Sequence, residues 1–542
     1  MPELFGLMQE TPLTVDRFLD HGATWHADRE IVSRAADGSI DRTDYRRLHQ
    51  MSKQVSDALL AGGIVRGDRV ATLGWNGARH MAAWYGTTNI GAVLHTLNPR
   101  LFPEQIAWIA AHAGDRLLLA DPACAALAAR LVRDVPSIEQ VVFLCDRAAL
   151  PATDYPAVAF DDWIAPHSGS AAWGGFDERL ACGLCYTSGT TGDPKGVLYS
   201  HRSNYLHTMM ALQADALALT QRDTVLLVVP MYHANAWGVV YAAPAAGAKL
   251  VLPGARMDGE SLYELIEQEG VTFSAAVPTV WQGLLQYLRG TGRAFSTLHR
   301  VVIGGAAPPP ALIRAFQDDY GVEVVQGWGM TETSPLATLS SPTAEVLAQP
   351  YEEQVRRKAM QGRLQVGLDF RLVDDAGQAL PHDGQTAGRL LIRGATITSG
   401  YFRDETPVLD ADGFFDTGDV ATIDAAGYMH ITDRAKDIVK SGGEWISSIE
   451  IENIASGHPA VAIAAVIGVA HPKWDERPIL LVQPAPGQTP DKADLLAWLD
   501  GKIAHWWMPD DVLVVDAIPL GATGKIDKKL LRRQFADYRL PE

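Results

Sequence analysis

Within eleven residues, the stretch Tyr186-Thr-Ser-Gly-Thr-Thr-Gly-Asp-Pro-Lys-Gly196 gathers four hydroxyl side chains, three glycines and a lysine. These are the groups that grip a polyphosphate. Gly189 and Gly192 let the backbone turn tightly enough for amide N–H groups to converge on an anion. Thr187, Ser188, Thr190 and Thr191 add hydroxyl donors, and Lys195 adds a cation on a flexible stem. The spacing is neither the G-x-x-x-x-G-K-[ST] of a Walker loop nor the G-x-G-x-x-G of a dinucleotide fold.

Further clusters follow along the chain. Gln326-Gly-Trp-Gly-Met-Thr-Glu332 comes directly after a strand-like run, with Gly327 and Gly329 permitting close approach. In it Trp328 supplies a stacking face, Thr331 a hydroxyl and Glu332 a carboxylate. Between this and the first loop lie Met231-Tyr-His-Ala-Asn-Ala-Trp-Gly238 and Gly304-Gly-Ala-Ala-Pro308. A lone histidine such as His233 is more often a core or loop residue than a site residue, and Trp237 is as readily a core indole as a pocket wall. Phe415-Asp-Thr-Gly-Asp419 offers Asp419, a carboxylate able to accept from two neighbouring hydroxyls. Thr432-Asp-Arg-Ala-Lys-Asp437 adds a guanidinium, Arg434, able to donate to a polar ligand. In Pro519-Leu-Gly-Ala-Thr-Gly-Lys525, Lys525 is one of several cations of a basic tail, with Lys528, Lys529, Arg532 and Arg533.

Taken in this order, the motifs resemble those of the adenylate-forming superfamily: acyl- and aryl-CoA synthetases, luciferase-like enzymes and peptide-synthetase adenylation domains. The resemblance spans nearly the whole chain. Lys440-Ser-Gly-Gly-Glu-Trp-Ile-Ser447 and Trp506-Trp-Met-Pro-Asp510 bring it closest to bacterial medium- and long-chain fatty-acid–CoA ligases and methylmercaptopropionate–CoA ligase-like enzymes. It implies ATP, Mg²⁺ and coenzyme A. Thr187–Thr191, Gly192 and Lys195 would hold phosphates, and Gln326, Gly327, Trp328, Gly305 and Ala306 would surround the nucleotide base. Asp419, Arg434 and Lys436 would reach the ribose side, and Thr331 would meet the α-phosphate. A carboxylate beside a triphosphate needs a cation between them, which makes Glu332, with Thr187, the Mg²⁺ holder. His233, Trp237, Gly304, Gly329 and Met330 would line the acyl pocket, and Lys525 would offset the charge that builds up during adenylation. Asp433 corresponds to the hinge, and Lys440, Gly442, Gly443 and Trp445 to the segment serving the CoA step. Family members often carry Tyr where Trp328 stands; an indole keeps the stacking face and loses the phenol oxygen.

These groups must be positioned by regular elements. Apolar runs at Leu180–Tyr186, Thr224–Pro230, Lys249–Pro253, Thr272–Pro278, Arg300–Gly304 and Val322–Gln326 alternate with helical patterns such as Asp258–Glu269 and Val280–Leu288. That alternation predicts parallel sheets flanked by helices. A helical pattern begins near His201, after the first loop. From Leu364 to Tyr401 short runs with Asp-Gly and Arg-Gly turns predict a small β subdomain. Beyond Asp433, Val461–Val469 and Asp511–Ile518 read as strands and Lys492–Ala504 as an amphipathic helix. The fold class is therefore α/β, with a large domain over 1–432 and a small α+β domain over 433–542, which the resemblance implies is mobile about Asp433.

The 542 residues carry 46 Lys+Arg against 64 Asp+Glu, a net charge of −18. This argues against nucleic acid as a partner, and anionic substrates must then be met by local cations and amide dipoles. The four cysteines are too few for a disulfide framework and point to a reducing cytoplasm. Cys182 and Cys185 form a C-x-x-C in an apolar run and read as buried residues with no assigned role. The N-terminus lacks the basic region of a signal peptide, and no run of about 20 apolar residues predicts a membrane anchor. A homodimer follows from the resemblance alone.

The expected reaction is attack of an organic acid's carboxylate on ATP to give acyl-AMP and pyrophosphate, then transfer of the acyl group to CoA. The acid is expected to be a short- or medium-chain fatty acid or a methylthioalkanoate such as 3-methylmercaptopropionate. An aryl- or long-chain-acyl-CoA ligase and a luciferase-like oxygenase are the alternatives. A peptide-synthetase domain would carry an Asp for the amine where Tyr-His-Ala-Asn stands. A non-catalytic nucleotide-binding regulator would be expected to lose Glu332 or Lys525, and both are present.

Overall fold

The computed structural model describes residues 4–187, 193–434, 436–441, 444–521 and 525–540. The phosphate-loop residues Ser188, Gly189, Thr190, Thr191 and Gly192, together with Gly442 and Gly443, lie outside the described residues, as does the side chain of Trp445.

Two large sheets form the body. In the first, strands Glu323–Gly329, Arg300–Gly304, Phe273–Ala276, Thr224–Leu226, Lys249–Leu252 and Glu30–Arg34 run parallel in that spatial order, with antiparallel strands at both edges. In the second, five parallel strands lead to Ala181–Tyr186, against which Gly196–Ser200 pairs antiparallel. Strands buried on both faces need near-continuous apolar sequence, which these have. The helices Tyr45–Ala61, Ala78–Thr88 and Val239–Ala246 fill the space between the sheets with Tyr45, Trp84, Tyr85 and Tyr241. Gly86 makes the closest of these contacts: a Cβ there would stand 2.6 Å from Val55.

A third, antiparallel sheet is built from Leu368–Val373, Gly388–Gly394, Phe415–Ile423 and Met429–Arg434. It runs further than the expected β subdomain of Leu364–Tyr401, because the Asp419 and Arg434 segments are themselves strands of it. The last sheet holds Val439–Ser441, Glu444–Ile446, Val461–His471, Asp475–Pro484 and Asp511–Val514. It has its own apolar clusters, one around Val466, Leu480 and Leu495 and another around Ile467, Leu481 and Leu531. At about 1.5–3 kcal/mol for each large side chain buried, such clusters hold this unit together independently of the body.

The helical pattern expected near His201 is the helix His201–Ala211, capped by Ser200, and a strand, Gly196–Ser200, precedes it. One local expectation is corrected. The helix expected over Lys492–Ala504 stops at Leu499, since Asp500 is extended and Gly501 takes φ 71°. No described helix is long and apolar enough to cross a membrane.

Candidate active site

A cavity of about 1620 Å³ opens where the strand ends of the body meet the C-terminal unit. The local chain geometry explains why its residues converge there. Thr187 N–H donates to the Lys195 carbonyl at 2.9 Å and Tyr186 pairs with Gly196, so the two antiparallel strands that flank the phosphate loop stay paired up to its base. Its base delivers Thr187 and Lys195 to the cavity, with the Lys195 ammonium 4.7 Å from the centre of the Tyr401 ring.

The ends of two adjacent parallel strands form the floor. Gly304 and Gly327 are register partners there. A Cβ on Gly304 would meet the Trp237 ring at 2.9 Å and the Gly327 carbonyl at 3.0 Å. Gly305 has φ +80°, a conformation L side chains avoid, and a Cβ there would lie 3.6 Å from Lys525 Cε. Beyond Gly327 the ladder slips at Trp328/Gly329, and the chain then enters the short helical turn Thr331–Thr333. Glu332 is buried there, its carboxylate accepting from Tyr401 OH at 2.9 Å. Burial pushes its pKa up, opposed by the Tyr401 hydrogen bond. The Thr331 carbonyl accepts from Tyr199 OH at 2.8 Å.

Asp419 and Arg434 face each other across two strands. Asp419 is 3% exposed; Oδ1 lies 3.3 Å from Arg434 Nε and Oδ2 accepts from Trp328 Nε1 at 3.0 Å. Burial raises its pKa, and Arg434, Trp328 and Lys525 pull it back. The indole nitrogen of Trp328 thus has a definite partner. Asp419 sits one residue behind the cavity lining, which Gly418, Trp328 and Arg434 reach directly.

From the C-terminal unit, Lys525 enters the same cavity. Burial and then Arg434 lower its pKa to about 8, while Asp419 and Glu332 work against that shift. His233 is lowered to about 4 by burial, with the Lys525 charge adding to the effect. Around neutral pH the site therefore presents a neutral imidazole beside an ammonium.

Lys436, Gly329 and Met330 also line the cavity. Gln326 and Ala306 do not. With its amide oriented to suit its neighbours, Gln326 donates to the Ala359 and Met360 carbonyls and accepts from Gln361 at 2.8 Å, while Ala306 is exposed. Lys440 is exposed too and stands outside the cavity, its N–H donating to Glu476 at 3.0 Å. Asp433 is no solvated linker residue. It is fully buried, and its Oδ2 accepts from Ser448 N–H at 2.7 Å and Ser448 Oγ at 2.6 Å. Lys528 Nζ donates to the same hydroxyl at 2.5 Å and pairs with Glu452 at 2.8 Å. Tyr401, Tyr199 and Ser448 carry no local sequence signal, and Lys528 reads in sequence only as one cation of a basic tail; each acts through a partner elsewhere along the chain.

The family description "AMP-binding enzyme" matches residues 19–402, and "AMP-binding enzyme C-terminal domain" matches residues 450–525. The chain belongs to the AMP-binding enzyme family. It is 47% identical to a 3-methylmercaptopropionyl-CoA ligase of Ruegeria pomeroyi over 98% of this chain and 99% of the relative. It is 42% identical to a medium-chain-fatty-acid–CoA ligase of Ectopseudomonas oleovorans over 99% and 98% of the two chains. The anthranilate CoA ligase AuaEII, solved with anthranoyl-AMP, superimposes with a TM-score of 0.85 at 25% identity, covering 97% of this chain and 99% of that one. The second family match ends on Lys525, so the two matched regions of this AMP-binding enzyme meet at the cavity.

Proposed function

We propose that this chain is an AMP-forming acid–CoA ligase whose acid is a short- or medium-chain fatty acid or a methylthioalkanoate such as 3-methylmercaptopropionate. The observation that carries the reading is the convergence of Lys525, from the C-terminal unit, with His233, Glu332 and the Asp419–Arg434 pair of the third sheet. The acid's carboxylate attacks the α-phosphorus of ATP between Lys525 and His233, and pyrophosphate leaves toward the phosphate loop and Lys195. Lys525 balances the negative charge that develops, in a site that already excludes much of the solvent. His233, held neutral, can donate a hydrogen bond without adding a second positive charge. Trp328 offers its face to the base, and Asp419 with Arg434 accepts and donates at the ribose.

Two oxygens, of Glu332 and Thr187, suit Mg²⁺, a hard cation that takes few protein ligands and shares the rest with substrate phosphates. Glu332 fits this role, being a buried carboxylate with a single hydroxyl partner and no cation paired to it among the described residues. Bound there, the ion would neutralise phosphate charge.

For the second step the C-terminal unit turns about Asp433, withdraws Lys525 and presents Lys440, Gly442, Gly443 and Trp445 to the CoA thiol, which displaces AMP. Lys440 stands outside the cavity in the present arrangement, so any role for it requires such a movement. This division puts a large domain over 1–432 and a lid over 433–542. The family likeness adds a cytoplasmic location and a homodimer. The names of the relatives favour alkanoates and thioether acids, and the Trp237 ring over Gly304 favours a short chain. An AMP-formation screen across 3-methylmercaptopropionate, straight-chain acids from butanoate to palmitate, and cinnamates tests this. The highest kcat/KM is expected for the thioether acid or the shorter alkanoates; equal values for cinnamates would overturn the choice of acid.

A further inference from the structure

Five successive residues, Ala234, Asn235, Ala236, Trp237 and Gly238, lie at φ 43°, 57°, 48°, 54° and 82°. L-residues visit this region singly, because the Cβ crowds the following carbonyl; a run of four before a glycine persists only where its surroundings over-determine it. The turn joins His233 to the helix Val239–Ala246, and its fourth residue is the Trp237 that covers Gly304.

Beneath it lies a buried polar chain. Asn235 Nδ2 donates to Asn204 Oδ1 at 3.1 Å, and Asn204 Nδ2 donates to Cys182 Sγ at 3.2 Å. Tyr241 OH, 3.5 Å from the Asn204 amide nitrogen, accepts from Trp84 Nε1 at 2.9 Å. Cys182 is 0% exposed, Asn204 1% and Asn235 4%. At the other end of the turn, Gly238 abuts His207, where a Cβ would stand 2.7 Å from the ring. His207 is itself fixed, its Nε2 accepting the Leu336 N–H at 2.9 Å. Asn204 and His207 are three residues apart on the helix His201–Ala211 and so face the turn together. One helix face grips the turn at both ends, and Trp237 lies between the two grips.

We propose that the Asn235–Asn204–Cys182 chain is a positioning device that keeps this turn left-handed and so sets, through Trp237, how long an acid the cavity admits. This deepens the ligase reading and rests on it. It also gives a role to half of the Cys-x-x-Cys pair: burial lifts the Cys182 thiol to about 12, so it stays a neutral acceptor. Replacing Asn204 by Leu strands the buried Asn235 amide, which the turn relieves by shifting, and replacing Cys182 by Val leaves the Asn204 amide only its 3.5 Å contact with Tyr241 OH, which loosens the side chain that holds the turn. Cys182→Ser keeps an acceptor in place.

The test measures acyl-CoA formation from butanoate and decanoate by wild type and by the Asn204→Leu, Cys182→Val and Cys182→Ser variants. The first two variants should raise the decanoate-to-butanoate kcat/KM ratio about tenfold, the scale on which an apolar pocket discriminates chain length. Cys182→Ser should stay within about twofold of wild type, and KM for ATP within about twofold in all three. An unchanged ratio, or a parallel loss for both acids and ATP, overturns the proposal. A crystal structure of Asn204→Leu decides the geometric half independently of substrate: the turn should lose its left-handed run and Trp237 should leave Gly304, and their retention overturns it. If wild type makes AMP from no acid at all, the ligase reading fails, and that crystal structure still decides the turn.

Discussion

The two sides of the cavity are built in opposite ways. On the body side Glu332 is tied down by Tyr401, Asp419 by Trp328 and Arg434, and Trp237 by its turn and Gly304. On the other side Lys525 arrives from a separately cored unit, next to a glycine that leaves room for it, and further cations of that unit, Lys528, Lys529, Arg532 and Arg533, line the same cavity. A fixed wall and a delivered cation suit a reaction in which the wall serves two steps and the cation only one.

That contrast can be broken most severely at Lys525. Lys525→Ala should slow acyl-AMP formation by about 10²–10³-fold, the scale for losing one charge-stabilising donor. It should leave thioester formation from chemically supplied acyl-AMP within about threefold of wild type, since that step does not use Lys525. Pyrophosphate release and CoA consumption, measured separately, check this.

On the wall side, Glu332→Gln keeps the shape and the Tyr401 contact but removes the charge. A drop of about 10²-fold in adenylation is expected, partly recovered at high Mg²⁺, because a metal ligand has been weakened rather than a geometry lost. Titrating activity against Mg²⁺ reads it out.

A smaller effect is expected from pH. Lys525 acts as a cation and gives up its proton near 8. The kcat/KM for adenylation, which reports the free enzyme, should therefore fall as pH rises through about 8. Lys525→Arg should move that limb upward. His233 should contribute no limb above about 5, being neutral there already with its pKa near 4.

The smallest change belongs to Trp328→Phe, which retains a stacking face and drops the N–H to Asp419. KM for ATP should rise about fivefold, the scale of one ordinary hydrogen bond of about 1 kcal/mol, with kcat within about twofold.

The sequence made the wall legible wherever chemistry and backbone freedom coincide. Thr187, Gly304, Gly327 and Glu332 stand at or just beyond the ends of strands that their own apolar runs announce, and parallel α/β folds gather strand ends at one site, whereas Asp419 lies mid-strand in the antiparallel sheet. What it hid depends on distant partners. Asp433 is buried because Ser448 and Lys528 converge on its carboxylate, which no local pattern signals. The left-handed turn at Ala234–Gly238 has one glycine, at its end, and is held by Asn204 from thirty residues earlier. Gly196–Ser200 is short and alternates too little to be separated from the helix that follows it. Gln326 sits in the right motif yet spends its amide on Gln361, since strand position alone does not tell which groups the far side offers.

The central claim is that one cavity first makes an acyl-AMP and then passes the acyl group to CoA. A single-turnover quench tests it most directly, mixing enzyme with ATP and 3-methylmercaptopropionate without CoA and adding CoA afterwards. Acyl-AMP and pyrophosphate should form in equal amounts, about one per active site, and the acyl-AMP should convert to acyl-CoA and AMP once CoA is present. Formation of ADP and phosphate, or of acyl-CoA with no acyl-AMP preceding it, would contradict the account.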